Sequence, residues 1–351
     1  MRALKIEQTW GRKGKMRSCL LLAAFSFLLA LEALAQPKQA WQPANVELTP
    51  LPHAQVSITV EGEEVTRWHH GADHPRPFFH PFNGPSGVSL TRMGHPGAPD
   101  HDHHCSIWFS HVDVGGVNFW ANNAKTGGQI RQKQWLAYED GEQEGLMAVR
   151  LGWFNAEGLE LMEQEVISAL RSFEGGEREL EIQTTFRPPA GKENVVLGKT
   201  NFGLLAVRVA KSLSAHFGGG KLTSSEGPTS EPDIFGKPAR WMDYSGPVAV
   251  GTGSERKGVV EGITFFDHPL NPRYPTKWHV RSDGWMGASF CMDEAWEITA
   301  EKPLTLRYLL HAHSGEHDPA KATARAQAFA ERARLKVEKG KAHRHFEVLR
   351  E

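Results

Sequence analysis

The sequence predicts an all-β fold: a large antiparallel β-sandwich of two sheets packed face to face, with one C-terminal helix. Three observations lead there. Runs of alternating apolar and polar residues recur along the chain. Clusters of Gly, Asp and Glu separate them at hairpin spacing. Only one late segment has helical composition.

Val56 to Val60 alternates with period two, Glu61-Gly62-Glu63-Glu64 turns, and Val65 to Trp68 resumes, which reads as a hairpin. Residues 145–152 and 164–170 continue the pattern. Residues 179–186 put Leu180, Ile182, Thr184 and Phe186 on one face and Glu181, Gln183 and Thr185 on the other. Turn residues at Glu157-Gly158 and Glu174 to Glu177 make these consecutive antiparallel strands, one face buried and one wet. Residues 204–209 and 259–266 follow, and 304–310 is the last expected strand. Two long irregular stretches, 218–245 and 267–287, are dense in Trp, His, Asp and Arg, which marks functional loops rather than disorder. After Asp318-Pro319 comes AKATARAQAFAERARLKVEKGK. Its Asp cap, first-turn Pro, alanine content and Gly340 near the end predict a helix over one end or edge of the sheets.

Residues 1–35 read as a secretory signal. Met16-Arg17-Ser18 is basic, Cys19 to Leu31 is apolar, and Ala33-Leu34-Ala35 is an A-x-A cleavage site, with Met16 a candidate initiator. Residues 36–52 form an extended lead-in, 53–315 the sandwich domain, and 316–351 the helix and tail. The expected location is periplasmic or extracellular, with no membrane span after cleavage. With 40 basic and 41 acidic residues in 351, the charge balance points to neither nucleic acid nor an anionic membrane as partner. There is no Walker or dinucleotide glycine motif. Cys105 and Cys291 remain after the leader, as one disulfide or as thiols; Cys105 sits in an apolar alternating run that suits a buried thiol.

Nine of the eighteen histidines fall from His69 to His111, among Pro, Gly, Asp and aromatics. Imidazole titrates near neutral pH and is the commonest metal ligand, so this stretch reads as the floor of a site. In Asp100-His101-Asp102-His103-His104, His101 and His103 share a face of an extended segment and suit a divalent transition metal, given a third ligand from His80, His268, His279 or His311. In Arg76-Pro77-Phe78-Phe79-His80-Pro81, two prolines restrain the backbone and present Arg76 for a carboxylate or diol and His80 for proton transfer. His111 joins the set only through a bend. In the 267–281 segment, Asp267 and Asn271 offer polar contacts, and alternation from Trp278 puts His279 and Arg281 on one face. Trp120, Trp241, Trp278 and Trp285 suit the C–H faces of sugars, and Asp243, Asp267 and Asp283 are candidate site carboxylates.

The order RPFFHP, DHDHH, IWFSHVDVGGVNFW, Gly198 to Arg208, WMDYSG and FFDHPLNPRYPTKWHVR resembles an exported bacterial family labelled "methane oxygenase" or PmoA, over about residues 53–315. Cys105-Ser106 stands where that family has Arg-Gly. The resemblance implies a supersandwich fold like galactose mutarotase, carbohydrate work, and a link to Gfo/Idh/MocA-type sugar oxidoreductases.

The leading expectation is an exported carbohydrate-active enzyme using histidine acid–base chemistry on an oxidised (keto- or uronic) sugar or oligosaccharide, by epimerisation, β-elimination or hydrolysis. The catalytic candidates are His80, His103, His104, His111 and His279. The substrate-binding candidates are Arg76, Trp120, Trp241, Asp243, Asp267, Asn271, Trp278 and Arg281. The alternatives are a metal-dependent oxidoreductase on His101 and His103, a non-catalytic sugar-binding protein, and an envelope protein with incidental histidines.

Overall fold

The computed structural model describes residues 42–95, 97, 101–122, 127–341 and 345–351. The leader and Met16 lie outside the described residues. The first sheet has eight strands in the order β1 (Val46–Leu51), β2 (Gln55–Val60), β3 (Glu63–His69), β4 (Phe78–Phe82), β5 (Ile107–His111), β11 (Gly203–Arg208), β16 (Trp285–Ala288) and β15 (Trp278–Arg281). The second sheet also has eight, in the order β12 (Lys221–Ser224), β13 (Trp241–Val250), β14 (Lys257–Asp267), β18 (Leu304–Ser314), β9 (Arg178–Arg187), β8 (Glu160–Ser172), β7 (Glu144–Phe154) and β6 (Gln129–Glu139). Two ribbons pair β10 (Asn194–Leu197) with β17 (Trp296–Thr299), and β19 (Leu335–Lys339) with β20 (Phe346–Arg350). Two α-helices are described, α1 (Glu231–Ile234) and α2 (Pro319–Glu331). The architecture is the antiparallel sandwich that the alternation predicts.

The inner faces meet in one apolar core. Ile107, Phe109, Leu205, Val207 and Met286 of the first sheet join Leu180, Ile182, Phe186 and Phe265 of the second. Phe109 meets Phe186 edge-on with ring centroids 6.2 Å apart, and Phe265 meets Trp278 at 4.9 Å. Each such side chain contributes roughly 1.5–3 kcal/mol of burial.

Several boundaries differ from expectation. Within the extended lead-in, Val46 to Leu51 forms β1 and pairs with β2. The stretch 218–245 contains β12, α1 and the start of β13, and 267–287 contains β15 and the start of β16. Asp318 caps α2 by accepting from the backbone N–H groups of Ala320 (2.9 Å) and Lys321 (3.2 Å), as the sequence suggests. The helix stops at Glu331, however, and LKVEK alternates as a strand. Cys105 and Cys291 are buried free thiols, with no disulfide between them.

The wet face expected for β9 is not wet. The C-terminal segment folds back over the outer face of the second sheet. Phe329 and Ala322 of α2 cover Trp241, Phe266 and Leu309. Leu335 and Val348 of the terminal hairpin cover Leu136, Ala148, Ile167 and Ala169. Glu179 and Glu181 are each only 1% exposed, and arginines neutralise them. Arg332 reaches Glu179 (2.7 Å) and Glu181 (3.1 Å), Arg325 also bonds Glu179, and Arg307 and Arg350 each reach Glu181 at 2.9 Å. Arg350 and Arg171 both hold Glu144.

Burial pushes the carboxyls of Glu144 and Glu181 up, but the arginines outweigh it and hold both below the ordinary 4.5. Native values below the unfolded ones mean that the clamp's contribution is fully present above pH 4.5 and is lost as pH falls through the lowered native values. Amide-exchange protection of residues 319–351 is therefore expected to fail in acid before that of the inter-sheet core. Loss of both at the same pH would contradict this.

Candidate functional site

The outer face of the first sheet gathers most of the histidine-rich stretch. Strand register sets one row across five strands: Phe78, Trp108, Ala206, Gly287 and His279. The adjacent row runs Arg208, Trp285, Arg281. Alternation sends these side chains away from the core and their neighbours Ile107, Val207 and Met286 into it. Ala206 and Gly287 leave a trough in the first row, and the Trp285 indole lies across it. A Cβ on Gly287 would sit 3.0 Å from Trp285 Nε1.

Aromatic rings fill this trough. The Trp285 centroid lies 5.3 Å from Trp108, 5.1 Å from Trp120, 5.1 Å from His104 and 5.6 Å from His279. The imidazoles continue outward: His103 is 4.5 Å from His104, His101 is 5.3 Å from His103, and His95 is 5.2 Å from His101. His104 is buried, whereas His95, His101 and His103 are half-buried on the rim.

A charged chain supports the cluster from below. Arg208 Nη1 donates to Asp283 Oδ1 at 2.7 Å, and Asp283 Oδ2 lies 2.7 Å from His95 Nε2. The backbone N–H of Gly97 donates to His95 Nδ1 at 3.0 Å, so the network assigns the ring proton to Nε2, facing Asp283. Burial, then the Arg208 charge and the other imidazoles, push His104 far below the usual histidine range. Burial and Arg281 bring His279 down to about 4, and its Nδ1 bonds the Asn201 carbonyl at 3.0 Å. Both rings are therefore neutral near pH 7.

Several buried polar atoms in this cluster lack partners among the described residues: Arg208 Nε and Nη2, Trp108 Nε1, Trp285 Nε1 and His104 Nδ1. Four of these are obligate donors. Buried polar groups are normally paired, so a concentration of orphan donors calls for an acceptor-rich ligand or water.

The other candidates fall elsewhere. Arg76 does not face a ligand; its buried guanidinium holds the carbonyls of His103 (2.8 Å), Phe119 (2.9 Å) and Trp120 (2.9 Å). His80 sits toward β3, its ring 6.4 Å from His69, and its Nδ1 is buried without a partner among the described residues. His111 points into the core under Gly203, fully buried, with its ring pushed down to about 4 by burial. Trp278 is a core residue bonded to the Ala239 carbonyl, so it is not a wall. Asp267 and Asn271 brace their own loop: Asn271 Nδ2 donates to Asp267 Oδ1 and to the Arg307 carbonyl, and Thr276 N donates to Asp267 Oδ2. Burial raises Asp267 to about 7 despite those donors. Arg281 is half-buried and pairs with Glu231 at 3.1 Å. Trp241 and Asp243 lie on the other sheet altogether. Among the described residues no group of three or more His, Cys, Asp or Glu side chains is placed to hold a metal, including around His101 and His103.

Residues 55–327 match a family of unknown function, DUF6807. The chain belongs to that family. The match corrects the resemblance drawn from motif order, since no methane-oxygenase-type family is found. The DUF6807 span contains the whole second sheet, the first sheet except β1, the site from His95 to Trp285, and most of α2. No curated protein matches the chain.

Arg208 carries no site signal in the sequence; His95 and Trp108 fall within the stretch that reads as the site's floor but without roles of their own, and Asp283 and Trp285 are candidates without a place. Strand alternation in IWFSH does separate Trp108 from Ile107 and Phe109. The pairing that brings Arg208 beside Trp285 joins distant segments and leaves no local signal.

Proposed function

We propose that the outer face of the first sheet is a carbohydrate-active centre for an oxidised sugar, keto- or uronic, in an exported protein. The observation that carries this reading is the group of orphan donors beside a neutral imidazole. Arg208 and His104 N–H groups suit the oxygen of a ketone or carboxylate, and the indole N–H groups suit ring hydroxyls. A neutral imidazole in an apolar setting is suited to polarise a carbonyl rather than to protonate it.

That arrangement favours removal of a proton alpha to the carbonyl. His103, on the rim beside His104, is the proposed base. It takes the C–H proton, and the electron pair passes into an enolate whose oxygen the Arg208 and His104 donors hold. A proton from water on the opposite face, with the His103 proton passing to solvent, gives epimerisation; departure of a β-substituent, protonated by the His103 imidazolium, gives elimination. Hydrolysis has less need of this donor set. Export rests on the leader read at residues 16–35; no helix among the described residues is long and apolar enough to cross a membrane.

The test is turnover of 3-keto-glycosides and uronides by the wild type and by His103→Ala and His104→Ala. The expected loss is about 10²–10⁴-fold, with His103→Ala still binding the sugar. A wild type that neither binds nor converts any of them would sink the reading. Unchanged turnover in both variants would also sink it, and binding without turnover in the wild type would indicate a sugar-binding protein. Elemental analysis of the purified chain separates the metal-dependent alternative: one tightly held transition metal per chain, lost in His103→Ala, would favour it.

A further inference from the structure

The second sheet carries a cavity that this reaction does not use. It lies between the outer face of β14 and β18 and the helix α2, and has a volume of about 430 Å³. A second cavity, also about 430 Å³, opens between β12, β13 and the start of α2. Glu316 and His317 line both, so the two adjoin as one bent trough.

Asp243 anchors its floor. This fully buried carboxylate takes Thr264 Oγ1 (2.7 Å), His313 Nε2 (2.8 Å) and His317 Nδ1 (3.4 Å) on Oδ2, and Ser245 Oγ on Oδ1. Burial alone would raise it, but the two imidazoles outweigh burial and keep it ionised. With Nδ1 turned to Asp243, His317 has Nε2 left for the trough, the arrangement by which a carboxylate orients a proton-exchanging histidine. The wall is set by composition. Ala324 and Ala328 stand one turn apart on α2, both line the cavity, and their small side chains leave it open.

The lining also defines a ligand class. The first cavity has four Arg or Lys and four Asp or Glu side chains, a balance that favours neither an anion nor a cation. The second is lined by the hydroxyl-bearing residues Thr223, Ser224, Ser225, Thr229 and Ser245. Trp241 lines it too; its side chain is 1% exposed and its Nε1 is buried without a partner among the described residues. A neutral ligand with many hydroxyls matches this set, each hydroxyl both donating and accepting.

We propose that the trough is a second ligand site, for a neutral polyhydroxylated molecule such as an uncharged sugar, in which His317 oriented by Asp243 exchanges a proton with a ligand hydroxyl. It is independent of the reaction proposed for the first sheet.

Calorimetric titration of the full chain tests it, with methyl glucoside, methyl galactoside, sucrose and cellobiose as neutral probes and glucosamine and inorganic phosphate as charged ones. At least one neutral probe is expected to bind more tightly than both charged ones. Its affinity should fall at least tenfold in His317→Ala and in Ala328→Phe, and stay unchanged in His104→Ala. Ala328 is on the exposed side of the helix, so its replacement blocks the cavity without disturbing the Asp243 contacts. No binding by any neutral probe, tighter binding of a charged one, insensitivity to Ala328→Phe or His317→Ala, or loss in His104→Ala would each overturn the proposal.

Discussion

Glu181→Ala is expected to lower stability by about 3–5 kcal/mol, the cost of leaving buried charge unpaired. Arg307, Arg332 and Arg350 all reach this one carboxylate, and it is 1% exposed. Removing it leaves Arg307 buried on the sheet, while Arg332 and Arg350, which hold down the end of α2 and the terminal hairpin, lose a shared anchor. Urea unfolding measures the loss, and limited proteolysis should cut first within residues 319–351. Glu163→Ala is the control. Its pairs with Lys133 and Arg150 are partly exposed, so its expected cost is below about 1 kcal/mol. If both variants unfold at similar urea concentrations, the clamp is not what holds the C-terminal segment.

Arg76→Met is expected to cost about 2–4 kcal/mol and to damage the first site from behind. Methionine keeps much of the apolar stem but none of the donors. The carbonyls of His103, Phe119 and Trp120 then lose a charged partner in a place water does not easily reach. Those carbonyls belong to the two loops that bring His104 and Trp120 over Trp285 and set His103 beside both. A shift of about 1 Å in such groups is enough for a loss near 10²-fold in turnover. The check is paired: unfolding for stability, and turnover of an oxidised sugar for the site. Full activity with His103 and Trp120 unmoved in the variant's structure would show that Arg76 does not position them.

Much of the sandwich was legible because alternation is a local property. The β2–β3 hairpin and the core of β9 follow from residues next to one another in sequence. The helix cap at Asp318 was readable for the same reason. What escaped was set by long-range covering. Glu181 and Gln183 look solvated in sequence, but Arg332, Leu335 and Arg350 of the returning C-terminal segment cover them. The site divides in the same way. The concentration of histidines marked the right stretch, but composition cannot say which imidazoles face out. His111 alternates into the core, and Arg76 is consumed by backbone carbonyls. Trp241 and Asp243 were grouped with the histidines by residue type, yet strand order assigns them to the opposite sheet.

That opposite placement has a consequence for how the molecule would respond to two ligands at once. The two proposed sites lie on the two outward surfaces of a sandwich whose middle layer is close-packed Leu, Val, Phe and Met. Such a layer transmits little unless it has two alternative packings, and coupling between sites requires such a bistable element. Occupancy of one surface is therefore expected to leave affinity at the other unchanged, so that free energies from variants on opposite surfaces simply add. The fold behaves as a two-sided board, and each side is open to change without retuning the other.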